Sequence, residues 1–307
     1  MALLLALDEL VTCGKLNLRL RVAHLNHKLR QTSDADARWV ARLAKQLGHK
    51  CSIGSVDVEV LAKKTGDNLE QAARRARYEF LAETANKNRA GIVLTAHMMD
   101  DQAETVLLNL LRGSGLDGLG GIEPVRTLDE GSEVLLARPL LSWARRDDTA
   151  TYCRSQGVEF RADEMNEDER FARVRVRTQL LPLMQSFNPK LVQALGRTAE
   201  VLRQDNSALD AAAERLLKLS LASKASFPDR GKTCSLHTDL LVCAQPSLRR
   251  RALRQWLRHC RGDLRRIERA HILAVERLLF GNLGGRIVEL PGGAKVSRNR
   301  RFLHFIP

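Results

Sequence analysis

The chain has 307 residues, of which 44% are hydrophobic and 28% are charged, a balance typical of a globular protein with a buried core. This length predicts two domains of ordinary size. The formal net charge of +14 favours a polyanionic partner such as nucleic acid, although a solvated basic surface without a partner stays open. Aromatic residues make up only 4%, which disfavours a fold that stacks many bases on aromatic side chains.

Six cysteines are scattered through the chain, and no two of them form a C-x-x-C pair. We interpret them as reduced, mainly structural thiols, because zinc and iron–sulfur centres need clustered thiolates. The apolar start, MALLLAL, lacks the basic segment of a signal sequence and is followed at once by Asp8. Since no apolar run is long enough to span a bilayer, the sequence predicts a cytoplasmic protein without a membrane partner.

The first half of the chain alternates helical and strand patterns. Helices are predicted at residues 2–10, 33–47, 68–85 and 99–111, and strands at 18–25, 51–60 and 91–95. Strands that alternate with helices of this length form parallel β-α-β units, so the pattern predicts an α/β fold with a parallel sheet. The glycine-rich segment 113–121 follows a helix, which favours a mobile, substrate-facing loop over a phosphate cradle.

The second half of the chain is predicted to be mainly helical. Helices are expected from Ser142 to about Gln156 and over residues 189–221, 246–260 and 263–280. Another helix is expected to follow residue 170 and to run to Leu181, where Pro182 would end it. A polar loop is expected at 163–170 and a linker at 222–232. The last segment predicts a hairpin that turns at Pro291 and Gly292.

The first candidate site is the segment AHLNHKLR at residues 23–30, which ends the first predicted strand. Ligands of open α/β sheets bind outside the carboxyl ends of the strands. Two histidines, Asn26 and two cations at such an end suit a nucleotide or a phosphate. A polar strand end without a ligand stays open as an alternative.

The second candidate lies on the helix predicted at 68–85, where Glu70, Arg74 and Arg77 share one face. The functional interpretation is a pair of arginines aimed at phosphate. The alternative is a ladder of ion pairs on the protein surface.

The third candidate is the segment LTAHMMDDQAET at residues 94–105. Here a short strand runs into His97, and a helix begins with Asp100, Asp101 and Glu104. Carboxylates in a first helical turn can simply offset the helix dipole. At a strand-to-helix corner, however, they lie where α/β sheets place active sites, and magnesium prefers carboxylates combined with substrate phosphates.

Taken in order, these segments resemble the tRNA(Ile)-lysidine synthases, which belong to the N-type ATP pyrophosphatase, or PP-loop, superfamily. The resemblance rests on HLNHKLR, on ExxARxxRY at 70–78 and on AHxxDDQAETxLxxLxRGSGxxGL at 96–119. It continues through RPLL at 138–141, DEMNED at 163–168 and RVRVR at 173–177. It is dense from about residue 20 to residue 185.

The resemblance implies an adenine nucleotide α-hydrolase-like domain, the PP-loop ATPase domain, at residues 1–187. A connecting helix at 188–223 and a small, mainly helical tRNA-binding domain at 224–307 would follow. The family's S-G-G-x-D-S phosphate loop does not occur in these residues. We interpret residues 1–7 as the start of the helix that follows this loop, so the loop and the first strand are expected to be missing.

Enzymes of this family use ATP to adenylate C2 of the wobble cytidine in a tRNA(Ile) with a CAU anticodon, and the lysine ε-amine then displaces AMP. The resemblance therefore implies a ligase with ATP as substrate, Mg²⁺ as cofactor, and tRNA(Ile) and L-lysine as partners. It is also compatible with a homodimer. Two alternatives stay open: a non-catalytic tRNA-binding remnant, because the phosphate loop is absent, and a tRNA 2-thiocytidine synthetase, which the scattered cysteines disfavour.

The resemblance also implies roles for individual residues. The ATP site would be bordered by Ala23, His24, Asn26, Arg74 and Arg77. The catalytic residues would be His97, Asp101 and Arg173, and magnesium would be held by Asp100 and Asp101. The tRNA would be contacted by Arg112, Arg138, Arg175, Arg177, Arg250 and Arg251.

Overall fold

The computed structural model describes residues 1–30, 32–129, 131–158, 171–221, 234–280 and 286–307. It divides into two compact units, Met1–Glu200 and Val201–Pro307, and the division falls inside one long helix. The loop predicted at 163–170 and the linker predicted at 222–232 lie outside the described residues. In the part of the chain that is described, no helix combines the length and apolar character needed to cross a membrane.

The first unit consists of helices and short strands that alternate along the chain. Its strands are β1 (Arg21–Asn26), β2 (Lys50–Ser55), β3 (Ile92–Leu94), β4 (Val125–Thr127) and β5 (Leu135–Ala137). Its helices are α1 (Ala2–Thr12), α2 (Ser33–Gln46), α3 (Val58–Thr65), α4 (Leu69–Lys87), α5 (Met99–Leu111), α6 (Leu116–Leu119), α7 (Arg146–Ser155), α8 (Ala172–Arg175) and α9 (Leu181–Phe187). The long helix α10 (Leu191–Ser220) begins in this unit.

The strands of the first unit form two sheets. β1 pairs with β2 in parallel, from Arg21 opposite Lys50 to Asn26 opposite Ser55. In the other sheet β5 lies in the middle, parallel to β3 and antiparallel to β4. The predicted α/β class with parallel pairing is confirmed, whereas the β4–β5 pair was not predicted.

The strand predicted at 51–60 is correct only in its first part, because β2 is followed by helix α3. The carboxylate of Asp57 caps this helix and accepts a hydrogen bond from the backbone N–H of Val60 at 3.0 Å. Val58 is fully buried in the first turn, so packing outweighs the preference of its branched side chain for a strand. Gly66, with φ of 68°, ends the helix in the left-handed conformation.

Three predicted helix boundaries are wrong. The helix predicted at 263–280 begins only at Arg269. Helix α7 begins at Arg146 and not at Ser142, because the Asp148 carboxylate accepts a hydrogen bond from the Arg145 N–H at 2.8 Å and fixes the first turn there. Pro182 does not end its helix. It lies in the first turn of α9, where a missing N–H is tolerated, and a π-helical turn, Val176–Leu180, joins α8 to α9.

The glycine-rich segment 113–121 contains helix α6, and this segment and the adjoining Ile122 are each hydrogen-bonded to α5. The Gln102 side-chain oxygen accepts a hydrogen bond from the Ile122 N–H at 2.6 Å, and Asn109 Nδ2 donates to the Gly118 carbonyl at 2.7 Å. A Cβ atom at Gly121, where φ is 66°, would lie 2.6 Å from the Gln102 oxygen. The segment predicted as a mobile, substrate-facing loop is therefore partly helical, and Gly121 is required for the close approach.

The second unit combines helices with an antiparallel sheet of order β6-β9-β8-β7. Its elements after α10 are β6 (Ser235–His237), α11 (Thr238–Cys243), α12 (Pro246–Arg261), α13 (Arg269–Leu278), β7 (Ile287–Glu289), β8 (Lys295–Asn299) and β9 (Phe302–Ile306). Trp256, Leu217 and Phe305 are buried at its core. The predicted hairpin is confirmed as β7–β8, while β6 and β9 were not predicted.

Candidate active site

The carboxyl ends of β1 and β3 open into one cavity of about 980 Å³, called the main cavity below. Its wall contains residues 24–27 at the end of β1, residues 95–98 after β3, and one face of α4. Asp101 and Glu104 of α5 and Arg173 of α8 complete it. The structure therefore brings the three candidate segments together at one site, as expected for ligand sites of α/β sheets.

Most of the residues implied for ATP binding and catalysis line the main cavity. These are His24, Asn26, Arg74, Arg77, His97, Asp101 and Arg173, and Arg177 lines it as well. Ala23 lies within β1 opposite Ser52 and is not part of the wall. Arg112, Arg138 and Arg175 belong to the same unit but lie outside the wall, whereas Arg250 and Arg251 belong to the second unit.

A network of charges fixes the start of α5. Asp101 accepts a hydrogen bond from the Met98 N–H at 2.8 Å through one oxygen and pairs with Arg173 at 3.1 Å through the other. Glu104, only 1% exposed, pairs with Arg173 at 2.7 Å and with Arg146 at 3.2 Å. Arg173 thus bridges two carboxylates, which holds its guanidinium at the wall of the cavity.

Glu104 and Arg146 were not among the predicted site residues. Glu104 stood in the third candidate segment, so its motif carried a signal. No sequence motif pointed to Arg146, because its partner Glu104 lies 42 residues earlier in the chain and only the fold brings the two side chains together.

Asp100 does not line the main cavity. Its carboxylate accepts hydrogen bonds from Arg145 Nε at 3.0 Å and from the Arg146 N–H at 2.8 Å, and so joins α5 to the start of α7. Among the described residues no cluster of three His, Cys, Asp or Glu suits a metal. Of the two adjacent carboxylates only Asp101 lines the cavity, which fits a magnesium ion shared with substrate phosphates rather than an all-protein cage. The structure therefore favours Asp101 over Asp100 as the expected magnesium ligand.

The arginines of the site are only partly balanced by acids. Within the described residues, Arg74, Arg77 and Arg138 form no ion pair with a carboxylate. Arg77 lies at the cavity wall with its side chain open to the cavity; its partial burial there, together with the charges of Arg74 and Arg173, lowers its pKa from the ordinary value. Arginines held close together without counterions provide a site for an anion.

The histidines of the cavity are neutral near pH 7. Burial, together with the charges of Arg138, Arg173, Arg74 and Arg77, lowers the pKa of His97 to about 3. Burial, Arg77 and His24 similarly lower the pKa of His27 to about 4. Nδ1 of His97 lies 2.9 Å from the Thr95 hydroxyl, which fixes the ring. The positive charge of the cavity therefore comes from arginine, and the imidazoles provide neutral donors or acceptors.

Asn26 shapes the turn that follows β1. Its amide nitrogen donates to Asp34 at 2.6 Å, and its oxygen accepts from the Lys28 N–H at 2.9 Å. Lys28 has a φ of 54°, and the side chain of Asn26 stabilises this left-handed residue by closing the turn. Asn26 is therefore buried and positions the segment that carries His24 and His27.

The α/β fold and the arginine-lined cavity at the strand ends define a nucleotide-binding protein of the PP-loop class. Residues 1–184 match the family model described as a PP-loop domain. A solved structure, the U34-tRNA thiolase NcsA from Methanococcus maripaludis with its [4Fe-4S] cluster, shows a weak likeness: 12% identity and a TM-score of 0.49, over 64% of this chain and 69% of that one.

Three curated relatives are named tRNA(Ile)-lysidine synthase. That of Geobacter sulfurreducens is 38% identical over 95% of this chain and 60% of its own length. That of Dehalococcoides mccartyi is 35% identical over 89% and 57%, and that of Salinispora tropica is 36% identical over 89% and 78%. The chain belongs to the tRNA(Ile)-lysidine synthase family. It spans about 60% of the length of the first two relatives.

Proposed function

We propose that this chain catalyses the ATP-dependent ligation of lysine to C2 of the wobble cytidine in a tRNA(Ile) with a CAU anticodon, in the cytoplasm. The observation that carries the proposal is the main cavity, where His97, Asp101 and Arg173 meet the unbalanced charges of Arg74 and Arg77. The names of the curated relatives support the same reaction.

ATP is proposed to bind in the main cavity. Its volume of about 980 Å³ is at the upper end of the range for ligand sites and leaves room for a nucleotide and a reacting base. Arg74 and Arg77 would bind phosphate, and the segment with His24 and Asn26 would border the nucleoside. Mg²⁺ held by Asp101 and phosphate oxygens would supply additional positive charge to the reacting phosphate.

The proposed reaction has two steps. In the first, the O2 atom of the cytidine forms a bond to the α-phosphorus of ATP, and pyrophosphate leaves. In the second, the neutral lysine ε-amine bonds to C2 and loses a proton, and AMP leaves with the oxygen. Both steps move negative charge onto phosphate, which arginines fixed at the cavity wall stabilise. Arg173 and Arg177 are proposed to hold the reacting end of the substrate.

Two of the arginines expected to contact tRNA form ion pairs within the second unit. Arg250 pairs with Glu276 of α13 at 2.7 Å, and Arg251 pairs with Asp210 of α10 at 2.6 Å. We propose that they hold α12 in place, while exposed arginines of the same unit, such as Arg266, contact the tRNA backbone. Binding of this kind weakens steeply as salt is added.

The test is ATP–pyrophosphate exchange and transfer of labelled lysine with a CAU tRNA(Ile) transcript, followed by mass spectrometry of the nucleosides. We expect tRNA-dependent exchange and the mass of lysidine. Salt-sensitive tRNA binding without exchange or lysine transfer would contradict the proposal and favour the non-catalytic alternative. The mass of 2-thiocytidine would favour the thiolation alternative.

A further inference from the structure

A second cavity of about 460 Å³ lies beside the main cavity in the first unit. Arg74 and Tyr78, one helical turn apart on α4, line both cavities. Arg126 of β4 lines only the second cavity. The two cavities therefore share one wall, and the proposed reaction does not use the second one.

Three guanidinium groups converge on Tyr78. Those of Arg74 and Arg126 lie 5.2 and 5.1 Å from the centroid of its ring, within the range of cation–π contact. Arg138, only 4% exposed, donates to the phenol oxygen at 3.3 Å. Burial alone would raise the pKa of Tyr78, but the charges of Arg74 and Arg138 and the hydrogen-bond donors of Arg138 and Arg126 together lower it from the ordinary value.

Acids do not balance this cluster. Arg126 donates to the carbonyls of Thr127 and Leu128 at 2.9 and 3.1 Å, and Arg138 donates to the carbonyl of Glu123. Across the described ranges of the chain, neither guanidinium has a carboxylate at ion-pairing distance, and the same holds for Arg74. Like charges held together without counterions raise the free energy of the folded protein, and a bound anion removes this cost.

The lining of the second cavity also contains two carboxylates, those of Glu79 and Asp129. Glu79 is 3.7 Å from Arg75, which also pairs with Asp67 at 2.7 Å. The arginines of the lining still outnumber its carboxylates, and Arg138 adds a further charge behind Tyr78. A ligand with a single negative charge matches this small excess of positive charge better than a polyphosphate does.

We propose that the second cavity binds a phosphodiester of the RNA strand, next to the nucleotide that reacts in the main cavity. Arg126 would bind the phosphate through its forked donors, the Tyr78 ring would hold the guanidinium groups of Arg126 and Arg74 in place, and Arg74 would serve both cavities. The shared wall supports a continuous strand, because a chain that leaves the main cavity past Arg74 enters the second cavity directly. This inference rests on the proposed RNA substrate.

The test compares Arg126→Ala with Arg38→Ala for binding to a CAU tRNA(Ile) transcript over a range of salt concentrations. Arg38 is an exposed arginine of α2 that lines neither cavity, so it is the matched control. We expect R126A to weaken RNA binding about fivefold and to reduce the slope of log K against log salt by about 0.7–0.9, the value for one lost phosphate contact. ATP affinity should not change in either variant.

Equal affinity and equal slope for R126A and R38A would overturn the inference, as would the absence of RNA binding by the unaltered chain. If circular dichroism shows that R126A does not fold, Arg126→Lys replaces it. R126K should keep the wild-type salt dependence but bind RNA more weakly, because lysine retains the positive charge without the paired donors of the guanidinium group. Wild-type affinity in R126K would then overturn the inference.

The outcomes separate this inference from the proposed function. Lysidine formation together with unchanged RNA binding in R126A would contradict the second cavity as a subsite and leave the reaction intact. Weakened RNA binding in a chain that forms no lysidine would support the subsite and contradict the reaction.

Discussion

The Nε atom of Arg173 donates to the buried Oε2 atom of Glu104 at 2.7 Å, across 69 residues of sequence. This contact ties α8 to α5 and places the remaining donors of Arg173 next to Asp101. The candidate catalytic corner is therefore held by an acid that does not itself reach solvent. Removal of this acid should disturb both stability and activity.

Glu104→Gln should lower the free energy of unfolding by about 1–3 kcal/mol, because the neutral amide no longer balances Arg173 and Arg146. Glu214→Gln is the control, since Glu214 forms an exposed pair with Lys218 and should change stability by no more than about 0.5 kcal/mol. Urea denaturation followed by circular dichroism measures both. Equal stability of the two variants would show that the buried network does not stabilise the site.

Asp101→Asn and Asp100→Asn separate the two adjacent carboxylates. Asp101 faces the main cavity, so D101N should reduce ATP–pyrophosphate exchange at least about 100-fold while tRNA affinity is retained. Asp100 only joins α5 to α7, so D100N should lower thermal stability and keep most of the exchange activity. The reverse pattern would assign the magnesium site to Asp100.

His97 should stay neutral over the whole working pH range. Its pKa is about 3 in the folded protein against an ordinary value of 6.5, so the unfolded chain binds more protons between these values. The stability that results is fully present above pH 6.5 and is lost as the pH falls toward 3, with a slope of at most about 1.4 kcal/mol per pH unit. NMR titration should show no change of the His97 ring signals between pH 8 and pH 5.

His97→Asn assigns these signals, and the chain in urea provides the comparison in which the ring titrates normally. A midpoint near 6.5 in the folded protein would contradict the cationic, buried environment that the structure gives to His97.

Arg250→Gln should destabilise the second unit by about 1–2 kcal/mol, because Glu276 then loses one of its two arginine partners. Arg266→Gln should leave stability unchanged and weaken tRNA binding, since this side chain is exposed. Thermal denaturation and tRNA affinity are measured for both variants. If R250Q lowers tRNA affinity at unchanged stability, Arg250 is an RNA contact after all.

Local sequence patterns predicted the elements that carry the site. Helix α5 has the predicted bounds, Met99–Leu111, and the corner between β3 and α5 was expected to hold His97 and Asp101. These features depend on short-range rules: a buried strand, acids in a first turn, and helical spacing of apolar residues. The order of β1, β2 and β3 with intervening helices followed from the same rules.

Features that depend on distant contacts were not predicted. β4 and β5 have three residues each and are held by the burial of Leu128 and Leu136, which no local pattern signals. The partners of Arg146, Arg250 and Arg251 lie 42, 26 and 41 residues away, so their charges looked free in the sequence. The convergence of Arg126 and Arg138 on Tyr78 arises in the same way.

Arg74 lines both cavities, and this has a thermodynamic consequence for any pair of ligands that occupy them. A guanidinium that serves two anions makes their binding energies interdependent. If a nucleotide in one cavity changes the affinity of RNA for the other, RNA must change the affinity of the nucleotide by the same factor. A single side chain on α4 would thus make the occupancy of each cavity depend on the concentrations of both ligands.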